Sequence, residues 1–153
     1  MENKKSTYNK KTIAELSGLE ERQVQFYTEQ GVVLPEIDPG EGRGKTRLYS
    51  QHNLHQFLII KGLVDFGMAI SKIRSIIKHI EHIGKFDAME GFEEKVQEDK
   101  ELQLYVKIFQ HEDDTLKVTL MLNRDKTWPV IKASEINDFN ECLVINAGRI
   151  WRG

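Results

Sequence analysis

Residues 20–31 read EERQVQFYTEQG. Most of these residues tolerate a helix well, and the stretch ends on Gly31, a residue suited to the left-handed conformation that closes helices. Arg22, Gln23, Gln25 and Tyr27 nevertheless surround Val24 and Phe26 without leaving a broad apolar stripe. A helix buried in a core is less polar than this, and an idle surface helix has no use for two aromatics. The pattern predicts a helix anchored by Val24 and Phe26, with Arg22, Gln23, Gln25 and Tyr27 left as a face for a polar partner.

Upstream, residues 10–16 predict a helix capped by Thr7 or Asn9, with Ile13 and Leu16 inward. Ser17-Gly18-Leu19 breaks it. Two short helices joined by a tight turn containing glycine make a helix-turn-helix arrangement. Downstream, Val32 to Leu34 and Thr46 to Tyr49 are extended pieces flanking Pro35, Pro39 and glycines 40, 42 and 44. This spacing predicts a hairpin with a loose tip. A phosphate-cradling nucleotide loop does not fit, because Gly44-Lys45-Thr46 would need glycine at position 39, which is proline.

Ser50 caps a predicted helix over residues 51–66 with Leu54, Phe57, Leu58, Leu63 and Val64 as its apolar content, closed by Gly67. Isoleucines at 70, 73, 76, 77, 80 and 83 recur at threes and fours and predict a further amphipathic helix. FEEKVQEDKE, residues 92–101, is compatible with a short helix carrying Phe92 and Val96 on one face. From Leu102 the period becomes two: Leu102, Leu104, Val106 and Ile108 alternate, HEDDT turns, and Leu116, Val118, Leu120 and Leu122 alternate again. This is a β-hairpin pattern. A turn at residues 134–138 precedes one more apolar strand from about Cys142 to Ile150. The expected class is α+β: an N-terminal mainly helical winged domain over 1–82, a short helical linker or dimerisation segment over 83–101, and a small β-rich segment over 102–153.

The 153 residues, 39% hydrophobic and 30% charged, have a globular composition and a net charge of −2. That sum hides an asymmetry. Residues 1–82 carry 12 Lys+Arg against 10 Asp+Glu, whereas residues 83–153 carry 10 against 14. The cations of the first part cluster at Lys4, Lys5, Lys10 and Lys11 and again at Arg43, Lys45 and Arg47, and a near-neutral domain still binds phosphates if its cations share one face. No run approaches the roughly 20 apolar residues of a membrane helix, and the basic start lacks a following apolar region, so a cytoplasmic protein without membrane contact is expected. Single Cys142 sits in an apolar run and excludes an intrachain disulfide framework.

Tyr8 through Tyr27, YNKKTIAELSGLEERQVQFY, resembles the MerR-type helix-turn-helix, with Ile13-Ala14, Ser17-Gly18-Leu19, Arg22 and Phe26-Tyr27 as landmarks. The resemblance continues through Gly31 and Pro35, Arg47-Leu48-Tyr49-Ser50, Leu54, and Gly67-Met68-Ala69-Ile70, covering about residues 7–82. It implies a bacterial, homodimeric winged helix-turn-helix transcription regulator whose second helix enters the major groove of double-stranded DNA while the wing grips the flanking backbone. In many members the operator is bent and untwisted when an effector arrives, so that RNA polymerase engages the promoter indirectly through DNA geometry. Carried onto this sequence, the DNA-binding residues are Tyr8, Lys10, Lys11, Arg22, Gln23, Gln25, Tyr27, Arg43, Lys45, Arg47 and Tyr49. Glutamine suits adenine, and arginine suits guanine or phosphate. On the wing, Leu48 is expected inward, with Arg47 and Tyr49 facing DNA. Gln25 stands where the family often has arginine, Ala69 replaces the usual hydroxyl cap, and Asn53 replaces a common acidic residue.

No cofactor or metal is expected. One cysteine does not make a thiolate metal site or an iron–sulfur cluster within one chain, and the pairs His52/His55 and His79/His82 lack a third ligand at defined spacing. The C-terminal segment is too short for a good core by itself. It is expected to pack on the helices or on a partner chain, as a dimer platform or as a small-molecule effector pocket with Tyr105, Phe109, Trp128 and Trp151; the same aromatics also suit plain core. Two other classes stand beside the regulator. A phage or plasmid architectural protein of the excisionase kind also uses a small winged helix without an effector. An enzyme would need a convergent acid, base or nucleophile set, and Glu112, Asp113 and Asp114 instead fall in a turn.

Overall fold

A computed structural model describes residues 7–84, 103–110, 116–123 and 141–146. Lys4, Lys5, the expected helix at 92–101, the turn at 134–138, Trp128 and Trp151 lie outside them. Four helices precede three strands: α1 (Lys10–Ser17), α2 (Glu21–Glu29), α3 (Gln51–Asp65), α4 (Ile70–Gly84), β1 (Gln103–Gln110), β2 (Leu116–Asn123) and β3 (Glu141–Asn146). The chain divides into two compact units, Met1–Ile73 and Arg74–Gly153, with the boundary inside α4. No helix among the described residues is long and apolar enough to cross a membrane.

In the first unit α1 packs against both α2 and α3. Asn9 caps α1, its Oδ1 accepting from Thr12 N–H at 2.9 Å, and Gly18 closes the helix at φ +79° with its N–H donating to Ala14 C=O. A Cβ at Gly18 would be strained by that φ and would sit 3.3 Å from Lys61 Cε, so the turn needs glycine. Ile13, Ala14 and Ser17 are the buried face of α1. Leu16, expected inward, is 53% exposed: the buried face is centred between Ile13 and Ala14, and at about 3.6 residues per turn Leu16 falls roughly 100° from that centre.

α3 is the central element. Asn53 through Phe57, Ile59, Ile60 and Leu63 are buried, so its first half is covered nearly all round. Ile59 and Ile60 carry burial that the sequence pattern assigned to Leu58 and Val64, which are only half-covered. α4 buries Ile73, Ile76, Ile77 and Ile80 and exposes Ser71, Ser75, Lys78 and His79, the amphipathic arrangement its isoleucine spacing predicts.

The segment between α2 and α3 is not the hairpin drawn from the sequence. Val32 and Val33 are core residues at 5% and 0% exposure. The partner of Leu48 is Asp38 instead: Leu48 N–H donates to Asp38 C=O at 2.9 Å and Asp38 N–H to Leu48 C=O at 3.2 Å. A second isolated bridge joins Tyr8 and Tyr49, with N–H···O=C distances of 2.9 and 2.8 Å. The wing is therefore a loop pinned at its base, its tip carrying Arg43 and Lys45.

Asn53 fastens both ends of that loop. Its Oδ1 accepts from Glu36 N–H at 2.9 Å and Ser50 N–H at 3.2 Å, while its Nδ2 donates to Leu34 C=O at 3.0 Å and Gln56 Oε1 at 2.9 Å. The amide uses both its accepting and its donating ends, which a carboxylate at this place, with no donor, would not do.

In the second unit the strands form an antiparallel sheet in the order β2-β1-β3. The register opposes Ile108 to Val118 and Leu143, and Phe109 to Lys117 and Cys142. Ile108 points to one face of β1, Lys107 and Phe109 to the other, and all three are at most 4% exposed. Both faces of the central strand are thus covered here.

Candidate nucleic-acid interface

α2 presents two faces. Val24, Tyr27 and Thr28 are buried, and Glu21, Arg22, Gln25, Phe26 and Glu29 are exposed. The two aromatics are exchanged relative to expectation: Tyr27 is 7% exposed and Phe26 is 44% exposed. The reason is helical geometry. Val24 and Phe26, two residues apart, do not share a face, whereas Val24, Tyr27 and Thr28 at i, i+3 and i+4 do. Burial also raises the Tyr27 hydroxyl pKa above its ordinary value.

Tyr49 is corrected in the same way. It is fully buried, its ring edge-on to Phe57 at 5.6 Å between centroids. Its hydroxyl lies 3.0 Å from Thr28 Oγ1 rather than facing outward. Burial is the largest influence and raises its pKa, while the nearby Arg47 charge draws it down and Glu29 pushes it up. Tyr49 is the residue just before the α3 cap, so its side chain enters the seam beneath α2. Arg47, two residues earlier, keeps its guanidinium on the outer side, 3.7 Å from Glu29.

The remaining polar residues meet along α2. Lys10 Nζ reaches from α1 to Glu21 Oε2 at 3.5 Å and to Gln25 Oε1 at 3.4 Å. Gln25 Nε2 in turn donates to Glu29 Oε1 at 2.8 Å. Arg22 Nε sits 2.5 Å from Glu20 Oε2. Gln23 is turned back on its own helix terminus, its Oε1 accepting from Glu20 N–H at 2.9 Å, half of a capping box. Thus Lys10 and Arg47, from two other segments, bracket the outer face of α2. Each ion pair is exposed and so weak that a phosphate can replace the glutamate.

Tyr8 is half-covered, and its hydroxyl donates to Gln51 Oε1. Lys11, Arg43 and Lys45 are exposed. Among the described residues no ion pair holds Arg43 or Lys45. His55, half of one i, i+3 histidine pair, is 4% exposed and its Nε2 lies 3.0 Å from Gln51 Nε2, so this pair does not present two outward ligands. Among the described residues no group of three or more potential ligands could hold a metal ion. Of the expected effector aromatics, Phe109 is buried at 1% exposure; Tyr105 lies on β1, opposite Met121 and Asn146.

A short helix pair with a glycine turn, an outward polar second helix, flanking cations and a pinned wing defines a winged helix-turn-helix DNA-binding domain. Residues 8–80 match the family described as MerR HTH family regulatory protein, and this part of the chain is a MerR-family regulator domain. Uncharacterized HTH-type transcriptional regulators of Mycobacterium bovis and of two strains of Mycobacterium tuberculosis are each 29% identical over 80 residues. The match takes in 52% of this chain and 36% of each relative, so the chain spans about a third of the length of the curated relatives it matches.

Proposed function

We propose that the protein is a sequence-specific transcription regulator that binds promoter DNA as a homodimer, with α2 in the major groove and the wing on the adjacent backbone. The observation that carries this is the convergence of Lys10 from α1 and Arg47 from the wing on the two ends of the exposed face of α2. Three chain segments thereby offer cations to one groove-sized surface. In this reading Arg22 and Gln25 address base edges, and Lys11, Arg43 and Lys45 address phosphates. Gln23 joins them only if it leaves its bond to the Glu20 backbone. The β-rich unit serves dimerisation or takes a small-molecule effector, and the bound DNA is bent and untwisted so that RNA polymerase engages the realigned promoter.

Selection of bound sequences from a random duplex pool tests this. Two half-sites related by a dyad, with binding that weakens steeply as salt rises, are the expected result. A single asymmetric site would favour an architectural DNA-bending role instead. Absence of salt-dependent binding to any duplex would remove the DNA-binding reading.

A further inference from the structure

Phe26 sits in the middle of the polar face of α2, one turn after Arg22 and beside Gln25, and is 44% exposed. Its ring is held edge-on against Tyr27, with centroids 5.3 Å apart and planes at 74°. Among the described residues it is the one large hydrophobic side chain that α2 exposes. The ring has no donor or acceptor, so neither a phosphate nor a purine edge recognises it. The major groove offers one apolar handle on an unmodified base, the C5-methyl of thymine. We infer that Phe26 reads a thymine methyl, making it a specificity-determining residue of the recognition helix; this rests on α2 being the helix that enters the groove.

The placement supports that role. Tyr27, itself fixed in the core, restricts the phenyl ring before DNA arrives, so little side-chain freedom remains to be lost on contact. The four-residue step from Arg22 to Phe26 advances about 6 Å along the helix. That is about two base-pair steps, so the two side chains address different base pairs of one recognised stretch. Arg22 supplies a charge-assisted contact and Phe26 discriminates by shape and apolarity.

The test uses the full chain and the best duplex recovered from a random pool. Each thymine is replaced in turn by deoxyuridine, which removes only the methyl group. For the unaltered protein, at least one replacement in each recognised stretch is expected to weaken binding about fourfold, the worth of one buried methyl-sized group. Phe26→Ala is expected to bind the thymine and deoxyuridine duplexes equally, and Phe26→Leu to keep part of the difference. Circular dichroism and urea unfolding of both variants establish that they are folded. If every deoxyuridine effect is the same in the unaltered protein and in Phe26→Ala, or if no thymine matters, the inference is overturned while DNA binding stands. If no duplex binds in a salt-dependent way, the DNA-binding reading itself fails and the inference falls with it.

Discussion

The Tyr49 hydroxyl lies 3.0 Å from Thr28 Oγ1, joining the residue before α3 to the buried face of α2. The single proton of the Thr28 hydroxyl is directed to Val24 C=O at 2.9 Å, so Tyr49 is the donor of the pair. Tyr49→Phe removes that donor while Thr28 keeps its bond to Val24, and is expected to cost about 1 kcal/mol. Tyr49→Ala also opens a cavity beside Phe57 and is expected to cost about 3–5 kcal/mol. Urea unfolding measures both. Since the hydroxyl faces inward, Tyr49→Phe should bind a selected duplex as tightly as the unaltered protein. A large loss of affinity with a small loss of stability would return Tyr49 to the DNA surface.

The element order of the first unit was legible because local signals agreed there: an Asn9 cap, a glycine stop, an alternation of threes and fours. The exchange of Phe26 and Tyr27 has a local signal too, since Val24 and Phe26 stand two residues apart and so fall on different sides of a helix. Other features had no local signal. Tyr49 alternates with Leu48 as a strand residue does, and only its bridge to Tyr8 and the position of α2 determine which side is the core. Likewise nothing local pairs Leu48 with Asp38 rather than with Val32–Leu34. The hairpin of β1 and β2 was readable from its period-two runs. The coverage of both its faces was readable only as a need, since both Ile108 and Phe109 are apolar.

Arg47 and Glu29 are 3.7 Å apart and both partly exposed, so the glutamate occupies the cation that the DNA backbone would take. Arg47→Ala is expected to weaken binding to all duplexes and to lower the magnitude of the salt slope by about one. Glu29→Gln is expected to strengthen binding to every duplex by up to about fivefold, since an exposed pair is worth at most about 1 kcal/mol. Fluorescence anisotropy over a salt series separates the two. Gly40 adds a steric check on the same side chain. At φ +68°, a Cβ there would lie 2.9 Å from Arg47 Cγ and from the Arg47 backbone nitrogen, so Gly40→Ala should displace Arg47 and weaken binding without removing any charge.

Asn53 is 1% exposed and satisfies the Glu36 and Ser50 amides together with the Leu34 carbonyl. Asn53→Ala leaves several backbone groups at the base of the wing without this partner, at about 1–3 kcal/mol for each that stays buried. A loss of about 3 kcal/mol or more in unfolding free energy is therefore expected. Asn53→Asp keeps the two accepted bonds and loses both donations, to Leu34 and to Gln56. It should rank between the unaltered protein and Asn53→Ala in urea midpoint. If Asn53→Asp were as stable as the unaltered protein, the donated bonds would contribute nothing.

His55 is buried in α3, and its pKa is lowered to about 3, chiefly by desolvation and secondarily by the nearby His52. The unfolded chain takes up this proton near pH 6.5 and the folded protein does not until about pH 3. Between those values the unfolded state holds more protons, so stability falls as pH falls. The contribution of His55 is fully present above pH 6.5 and is withdrawn on the acid side. From pH 7 to pH 5 its titration is expected to remove about 2 kcal/mol of unfolding free energy. His55→Gln has no proton to take up in this range. Its unfolding free energy, lower at pH 7 because the imidazole packing is lost, should change with pH by about 2 kcal/mol less over the same interval. Urea unfolding at half-unit pH steps gives both curves; parallel curves would mean that His55 titrates alike in the folded and unfolded states.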